Sequence, residues 1–253
     1  MASSISWKKI CGDHKVLEHD FSKSPFLLSS AQIKRSVQAF TTTGEKEVRI
    51  LCKQDTRESR PKIFQENNLF LLPIKNGDFV IIKGEGYVDI PEITKKPTSY
   101  TSKLDFDLET SLVGDSEMQH LDFAYASSLI RTFMEDTSLV LTIRGRKYTP
   151  IFDFFVGTQK ISTRSVQTEI DAGYEGKDKI VLVEAKNKGD KNVIIRQLYY
   201  PYRQWKEHTK KKVYTLFFER SKEKVYSIWQ FEFSDPMNYN SIKLVKSGKF
   251  LIV

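Results

Sequence analysis

The run "IVLV", Ile180–Val183, is continuously apolar, is preceded by the glycine-rich "AGYEGKD" and is followed at once by "EAK". A strand with no polar side chain reads as one covered on both faces, which requires a sheet with helices packed on either side. Glu184 and Lys186 close this run. They are two residues apart, so their side chains emerge on one face of the strand. Asp171 ends the preceding strand, and the connection between them is long enough to lay the two strands side by side.

Two carboxylates and one ammonium are therefore expected to converge at one end of a sheet. Close carboxylates repel, and each is costly to bury unpaired. A hard divalent cation relieves both problems. Mg²⁺ is suited to one or two carboxylates completed by waters and phosphate oxygens. Lys186 beside it is placed to orient a water and to stabilise charge on a phosphate under attack. A second Glu-x-Lys, Glu175-Gly176-Lys177, lies in the glycine-rich turn and reads as a solvated pair. Only Glu184-Ala185-Lys186 ends an apolar strand with an acid on its neighbour.

The rest of the chain supplies the surroundings. "SSAQIKRSVQAF" carries Ile33, Val37 and Phe40 at helical spacing behind Ser29 or Ser30, and "TGEKEVRILCK" reads as a short strand. In "DTRESRPKIFQENN" a helix is expected from Ser59, which puts Pro61 in its first turn. Two apolar runs flank Asn76-Gly77, a strong hairpin signal. The polar "EITKKPTSYTSKLDFD" follows. These features divide the chain into an N-terminal recognition or support domain (1–98), a linker (99–114) and a second domain (115–253).

In the second domain, Met118, Leu121, Tyr125, Leu129 and Phe133 describe one amphipathic helix. "SLVLTIRGRKYTPIFDFFVG" reads as a hairpin turning at Arg144–Arg146. "STRSVQTEIDAGY" and "KIVLVEAKN" are strands, "NVIIRQLYYPYRQWKEH" is a helix interrupted at Pro201, and "KKVYTLFFER" and "KVYSIWQFEF" close the chain as strands. The class is α/β, with a mixed sheet flanked by helices and a small α+β, winged-helix-like domain before it.

"TEIDAGY…IVLVEAK", with a helix before it and "IIRQLYYPYRQW" after it, resembles the PD-(D/E)xK nuclease superfamily, most closely its type II restriction endonucleases. The resemblance spans roughly residues 115 to 220. It implies a PD-(D/E)xK-like catalytic domain hydrolysing phosphodiesters with Mg²⁺, or Mn²⁺ in its place, to leave 5′-phosphate and 3′-hydroxyl ends. By that resemblance Asp171, Glu184 and the Ala185 backbone carbonyl hold the metal, and Lys186 lies near the attacking water. Glu169, Gln197 and Glu117 become accessory positions. One departure is Ile170, where many members have proline before the first acid. The implied partner is double-stranded DNA, met by a homodimer whose two-fold axis matches that of the duplex. The implied compartment is the cytoplasm of a prokaryote.

Charge and aromatic patterning bear on the same partner. The formal charge is +8, and eight basic residues stand against two acidic ones between Lys188 and Lys212, interleaved with Tyr199, Tyr200, Tyr202 and Trp205. Such a mixture suits a surface that tracks a phosphate backbone, with Lys188, Arg196 and Arg203 as candidates; a basic helix with its aromatics in the core is the alternative. In the first domain Arg57, Arg60 and Lys62 are candidates for reading bases or phosphates. The four histidines lack zinc spacing, no P-loop or dinucleotide fingerprint is present, and no apolar run approaches the roughly 18 residues of a membrane span. Two cysteines, Cys11 and Cys52, suit a reducing compartment, and the first residues lack a signal-peptide core. A structure-specific junction nuclease and a non-catalytic DNA-binding protein are the rival readings.

Overall fold

The structure, a computed structural model, describes residues 3–186, 189–221 and 223–253, and the elements named below are those of the described residues. The chain opens with α1 (Ser4–Asp13), β1 (Phe26–Ser29) and α2 (Ser30–Val37). Ser29 and Gln32 cap α2 reciprocally, at 3.2 and 2.9 Å. The segment expected as a strand, "TGEKEVRILCK", instead forms two single-turn helices, α3 (Thr43–Lys46) and α4 (Val48–Leu51). Thr42 Oγ1 closes the first turn on Glu45 at 2.6 Å, and Val48 and Leu51, three apart, share one helical face inward.

Arg60 and Pro61 are extended, so α5 (Lys62–Glu66) begins after Pro61 rather than at Ser59. The hairpin of β2 (Leu69–Lys75) and β3 (Asp78–Lys83) turns at Asn76-Gly77, with Gly77 at φ +84°. β1 adds to it in the antiparallel order β1-β3-β2.

β4 (Tyr87–Asp89) and β5 (Thr98–Tyr100) lie around the expected domain boundary, and both pair with strands from far down the chain. The helix expected over 118–133 is two, α6 (Glu117–Ala126) and α7 (Leu129–Phe133), because Ser128 turns left-handed at φ +67° between them. β6 (Val140–Tyr148) runs straight through Arg144–Arg146 instead of turning there. Gly145, at φ +74°, absorbs an irregularity of register. The hairpin belongs to β7 (Phe152–Val156) and β8 (Gln159–Thr163), with Gly157 at φ +58° in its turn.

Then follow β9 (Gln167–Glu175), β10 (Lys179–Lys186), β11 (Asn192–Ile194), α8 (Ile195–His208), β12 (Lys212–Arg220), β13 (Val225–Phe233) and β14 (Ile242–Ile252). α8 continues through Pro201. β14 is a further strand, unexpected because "IKLVKSGKF" alternates too weakly to signal one.

The protein is mixed α/β. Its seven-stranded sheet has the order β5-β14-β13-β12-β10-β9-β6, with β10/β12 and β14/β5 parallel and the other pairs antiparallel. β10 is covered on both faces. Ile180 and Leu182 pack with Leu198 and Tyr199 of α8, whereas Val181, Val183 and Ala185 pack with Leu121 of α6 and Ile130 of α7. Among the described residues, no helix is long and apolar enough to cross a membrane.

The β2–β3 hairpin is shared between two cores. Leu69, Leu71 and Ile81 face α1, α2 and α5, while Phe70, Leu72, Val80 and Ile82 face the core that includes α8. Both faces of the hairpin's strands are therefore buried in protein. Polar bonds fix the same junction: Tyr200 Oη donates to the Pro73 carbonyl at 2.9 Å, and Asn192 Nδ2 donates to the Glu58 carboxylate at 3.0 and 3.1 Å. Leu72→Ala, at a position with no exposure, should cost about 2–5 kcal/mol. Because the hairpin belongs to both cores, urea unfolding should remain one transition at a lower midpoint. Two separated transitions would show cores that fold independently.

Candidate active site

The site forms where the β9–β10 ladder opens. Backbone pairing runs from Ile180↔Glu175 to Val183↔Ala172 and stops. Between the pairs Gly145↔Ile170 and Ile143↔Gly173, β9 advances three residues while β6 advances two, so β9 carries a bulge around Asp171. Its effect is visible in the packing: Ile170 lies in the core on the α8 side, and Ala172 in the core on the other. The re-aimed Asp171 carboxylate takes over from the backbone, its Oδ2 accepting the Ala185 N–H at 2.7 Å. A residue's N–H and C=O point to the same strand edge, so the Ala185 carbonyl is directed to the side where Asp171 lies.

Alternation along β10 puts Glu184 and Lys186 on the α8 side, and Glu184 is 8% exposed. Lys186 Nζ donates to Glu184 Oε1. Gln197, Leu198 and Pro201 of α8 line a small pocket with Glu184, Ile170 and Thr215. Pro201 offers no N–H to the Gln197 carbonyl one turn earlier. The side-chain Oε1 of Gln197 is buried with no hydrogen-bond partner among the described residues.

Burial dominates the electrostatics. It pushes the Glu184 carboxyl up to about 7; the Asp171 charge adds to this, and the Lys186 ammonium opposes it. Burial likewise raises Asp171, against the Ala185 N–H and Lys186, while the charges of Glu117 and Glu169 raise it further. Burial works against the Lys186 ammonium, but the Glu184 and Asp171 carboxylates outweigh it, so its pKa rises. Lys186 is therefore an ammonium at neutral pH and no proton acceptor. Asp171, Glu184 and Lys186 form one electrostatic unit, with Glu117 at the start of α6 and Glu169 on its margin. Glu169 is exposed and pairs with Arg146 at 3.5 Å.

The basic candidates divide. Lys62 is exposed, in an i,i+4 pair with Glu66 at 3.6 Å. Arg57 is held by Glu85 and Asp89, and its backbone N–H donates to Asn192 Oδ1 at 2.7 Å. Arg60 and Arg203 are corrections, because both are interior. Arg60 donates to the carbonyls of Arg57 and Leu69 at 3.1 and 3.0 Å and lies over the Tyr87 ring. Arg203 donates to the carbonyls of Asp153 and Pro236, both at 2.9 Å, and lies over Phe152. A donor already spent on buried carbonyls is not available to a phosphate. Tyr199, Tyr200 and Tyr202 are core residues too, so the aromatics of α8 face inward. Arg196 is half-buried, 4.0 Å from Asp55. Lys188 lies outside the described residues.

Two acids escaped the sequence reading. Asp55, from the N-terminal region, is close enough for its charge to raise Glu184. Nothing local in the sequence marks it, because it arrives by tertiary packing: its carbonyl accepts the Ile194 N–H at 2.8 Å. Glu219 pairs in register with Lys186, and burial, with the charge of Asp190, pushes its carboxyl up to about 7. It had a readable signal, since "TLFFER" repeats the pattern of an apolar strand ending in an acid. In metal-free protein the ¹³C carboxyl shift of Glu184 should titrate with a midpoint near 7. Lys186→Met should move that midpoint upward, because the opposing cation is gone; an unchanged or lower midpoint would contradict this geometry.

A family model described as a domain of unknown function (DUF6996) matches residues 4–81, and another described as a domain of unknown function (DUF6997) matches residues 82–251. No curated protein and no solved structure matches the chain. Covering well over half of the sequence, the second match makes the chain a member of the DUF6997 family, with a DUF6996 domain ahead of it.

Proposed function

We propose that this protein is a Mg²⁺-dependent, sequence-specific DNA endonuclease of the restriction type, with a PD-(D/E)xK-like catalytic domain. The observation that carries the reading is the convergence of Asp171, Glu184 and Lys186 at the open end of β9 and β10. The surrounding order supports it: helices α6 and α7, the antiparallel run β6-β9-β10, then α8 crossing to β12 parallel to β10. The N-terminal region supports a winged-helix-like recognition or support module, with a helix, a strand, further helices, and a hairpin whose second strand pairs with the first.

The donor set fits Mg²⁺. Asp171, Glu184 and the Ala185 carbonyl are hard oxygen ligands on adjoining backbone, and two carboxylates leave positions for waters and phosphate oxygens. Buried Glu184 also gains from a cation that replaces its proton. When bound, Mg²⁺ would neutralise charge developing on the phosphodiester. Lys186, held as an ammonium, aligns the attacking water and donates to the phosphate oxygen that gains charge. Gln197 lines the pocket with Glu184, and its unpartnered Oε1 is placed to accept a hydrogen bond from a water there. Glu117 and Glu169 would set the charge around Asp171. Cutting both strands of a short site calls for a homodimer.

Incubation of a long duplex DNA with the protein and Mg²⁺ should give discrete fragments bearing 5′-phosphates. EDTA should abolish them, and Lys186→Ala should reduce the rate by about 10²–10³-fold. A ladder independent of sequence but dependent on branched substrates would favour a junction nuclease. Absence of cleavage with Mg²⁺ or Mn²⁺, while DNA is still retarded on a gel, would leave a DNA-binding protein.

A further inference from the structure

β6 is an edge strand of the large sheet, and its last residues lie beside the candidate site. Arg146 pairs in register with Glu169, and Tyr148 with Gln167. Thr168 and Ile170 face α8, so Gln167 and Glu169, and with them Tyr148 and Arg146, lie on the other face of the strands, and the charge of Glu169 reaches Asp171 at the bulge that follows. Tyr148 is 55% exposed and Ile151, just beyond it, is 69% exposed.

Backbone hydrogen bonds link the end of β6 to the N-terminal region. The Thr149 N–H donates to the Val166 carbonyl, and the Ser165 N–H donates back to Thr149, both at 2.9 Å. The Arg164 N–H donates to the carbonyl of Ile74 at 3.0 Å, next to Lys75 at the hairpin tip. Arg164 and Lys75 are exposed. Arg164 has no ion-pair partner among the described residues, and Lys75 has only Asp78 at 3.9 Å. Arg146 has the weak exposed pair with Glu169.

We propose that Arg146, Tyr148, Ile151, Arg164 and Lys75 form the track along which one strand of duplex DNA runs from the catalytic site to the N-terminal hairpin. The inference rests on the nuclease reading and specifies where its substrate lies. Three cations interleaved with two exposed apolar side chains match a partner with a regular anionic backbone and flat bases or sugars between the charges. The acids paired with the track's cations are Glu169, on Arg146, and Asp78, on Lys75. Arg146 and Tyr148 are about 7 Å apart along the strand, roughly two steps of a duplex strand at 3.4 Å of helix axis each. The assignment also accounts for exposed arginine on this edge while Arg60 and Arg203 are spent in the interior.

The test is fluorescence anisotropy of a labelled 30-base-pair duplex of arbitrary sequence at low salt, with Ca²⁺ in place of Mg²⁺. Native protein is compared with Arg146→Glu/Arg164→Glu, and with Lys177→Glu/Lys210→Glu as a control of equal charge change at the opposite end of β10. Thermal melting of each verifies folding, which exposed substitutions should leave intact. The track variant should bind at least tenfold more weakly, with a salt dependence reduced by about two phosphate contacts. The control should stay within about threefold of native. Tyr148→Ala should weaken binding without altering the salt slope.

Equal losses in both double variants, no loss in the track variant, or no binding by the native protein would overturn the proposal. Cleavage is scored separately in Mg²⁺. Binding that follows the track without any cleavage would sink the nuclease reading and keep the surface. Cleavage with a dispensable track would do the reverse.

Discussion

Everything at the candidate site depends on β10 being buried on both faces and then running out of cover. From Ile180 to Val183 the strand alternates between the α8 core and the α6–α7 core, with β9 and β12 hydrogen-bonded on either side. That much packing leaves no freedom in register, because a slip by one residue would drive Glu184 into the opposite core. The ladder with β9 then ends at Val183, and the Asp171 carboxylate rather than a backbone carbonyl receives the Ala185 N–H. A rigid strand thereby delivers two acids and a lysine to an opening whose position is set by the core.

The same burial explains the electrostatics. Glu184 is held where its charge is costly, with Lys186 as partner and Asp171 and Asp55 as repulsive neighbours. An ion pair in such a place adds little net stability, since desolvation opposes the attraction. The arrangement makes more sense as a site for charge arriving from outside. On the proposed function, a divalent cation would relieve the repulsion between Asp171 and Glu184, and a phosphate would bring the anion that Lys186 can serve.

How much of this was legible in the sequence follows from range. Local signals were reliable where one constraint dominated: "IVLV" between charges for β10, Asn76-Gly77 for the hairpin, and Ser29 or Ser30 for the α2 cap, which the structure places at Ser29. They failed where tertiary packing decided. "EVRILCK" carries strand-like residues, yet Leu51 and Val48 were needed on a helical face, and the Arg144–Arg146 stretch looks like a turn but is a register irregularity in a long strand. Arg60 and Arg203 resembled surface cations because sequence does not reveal that buried carbonyls and aromatic rings await them. Asp55 was invisible for the complementary reason, since its place near Glu184 is made by contacts between segments more than a hundred residues apart. In the seed of the site, by contrast, Asp171, Glu184 and Lys186 lie within sixteen residues; strand alternation places Glu184 and Lys186 on one face, while the aim of Asp171 comes from the β9 bulge, which no local signal marked.

The junction between the two family domains is continuous in its packing, because the β2–β3 hairpin belongs to both cores and the Asp55–Glu58 segment sits on β11 and the start of α8. The N-terminal segment thus contacts directly the helix that bears Arg196 and Gln197. The central claim remains that Asp171 and Glu184 together hold a divalent cation. Mn²⁺ titration followed by electron paramagnetic resonance tests it most directly, comparing native protein with Asp171→Asn and Glu184→Gln. Native protein should remove free Mn²⁺ from the spectrum, and each variant should bind at least tenfold more weakly. Mn²⁺ left free by the native protein, or bound equally well by all three, would contradict the account.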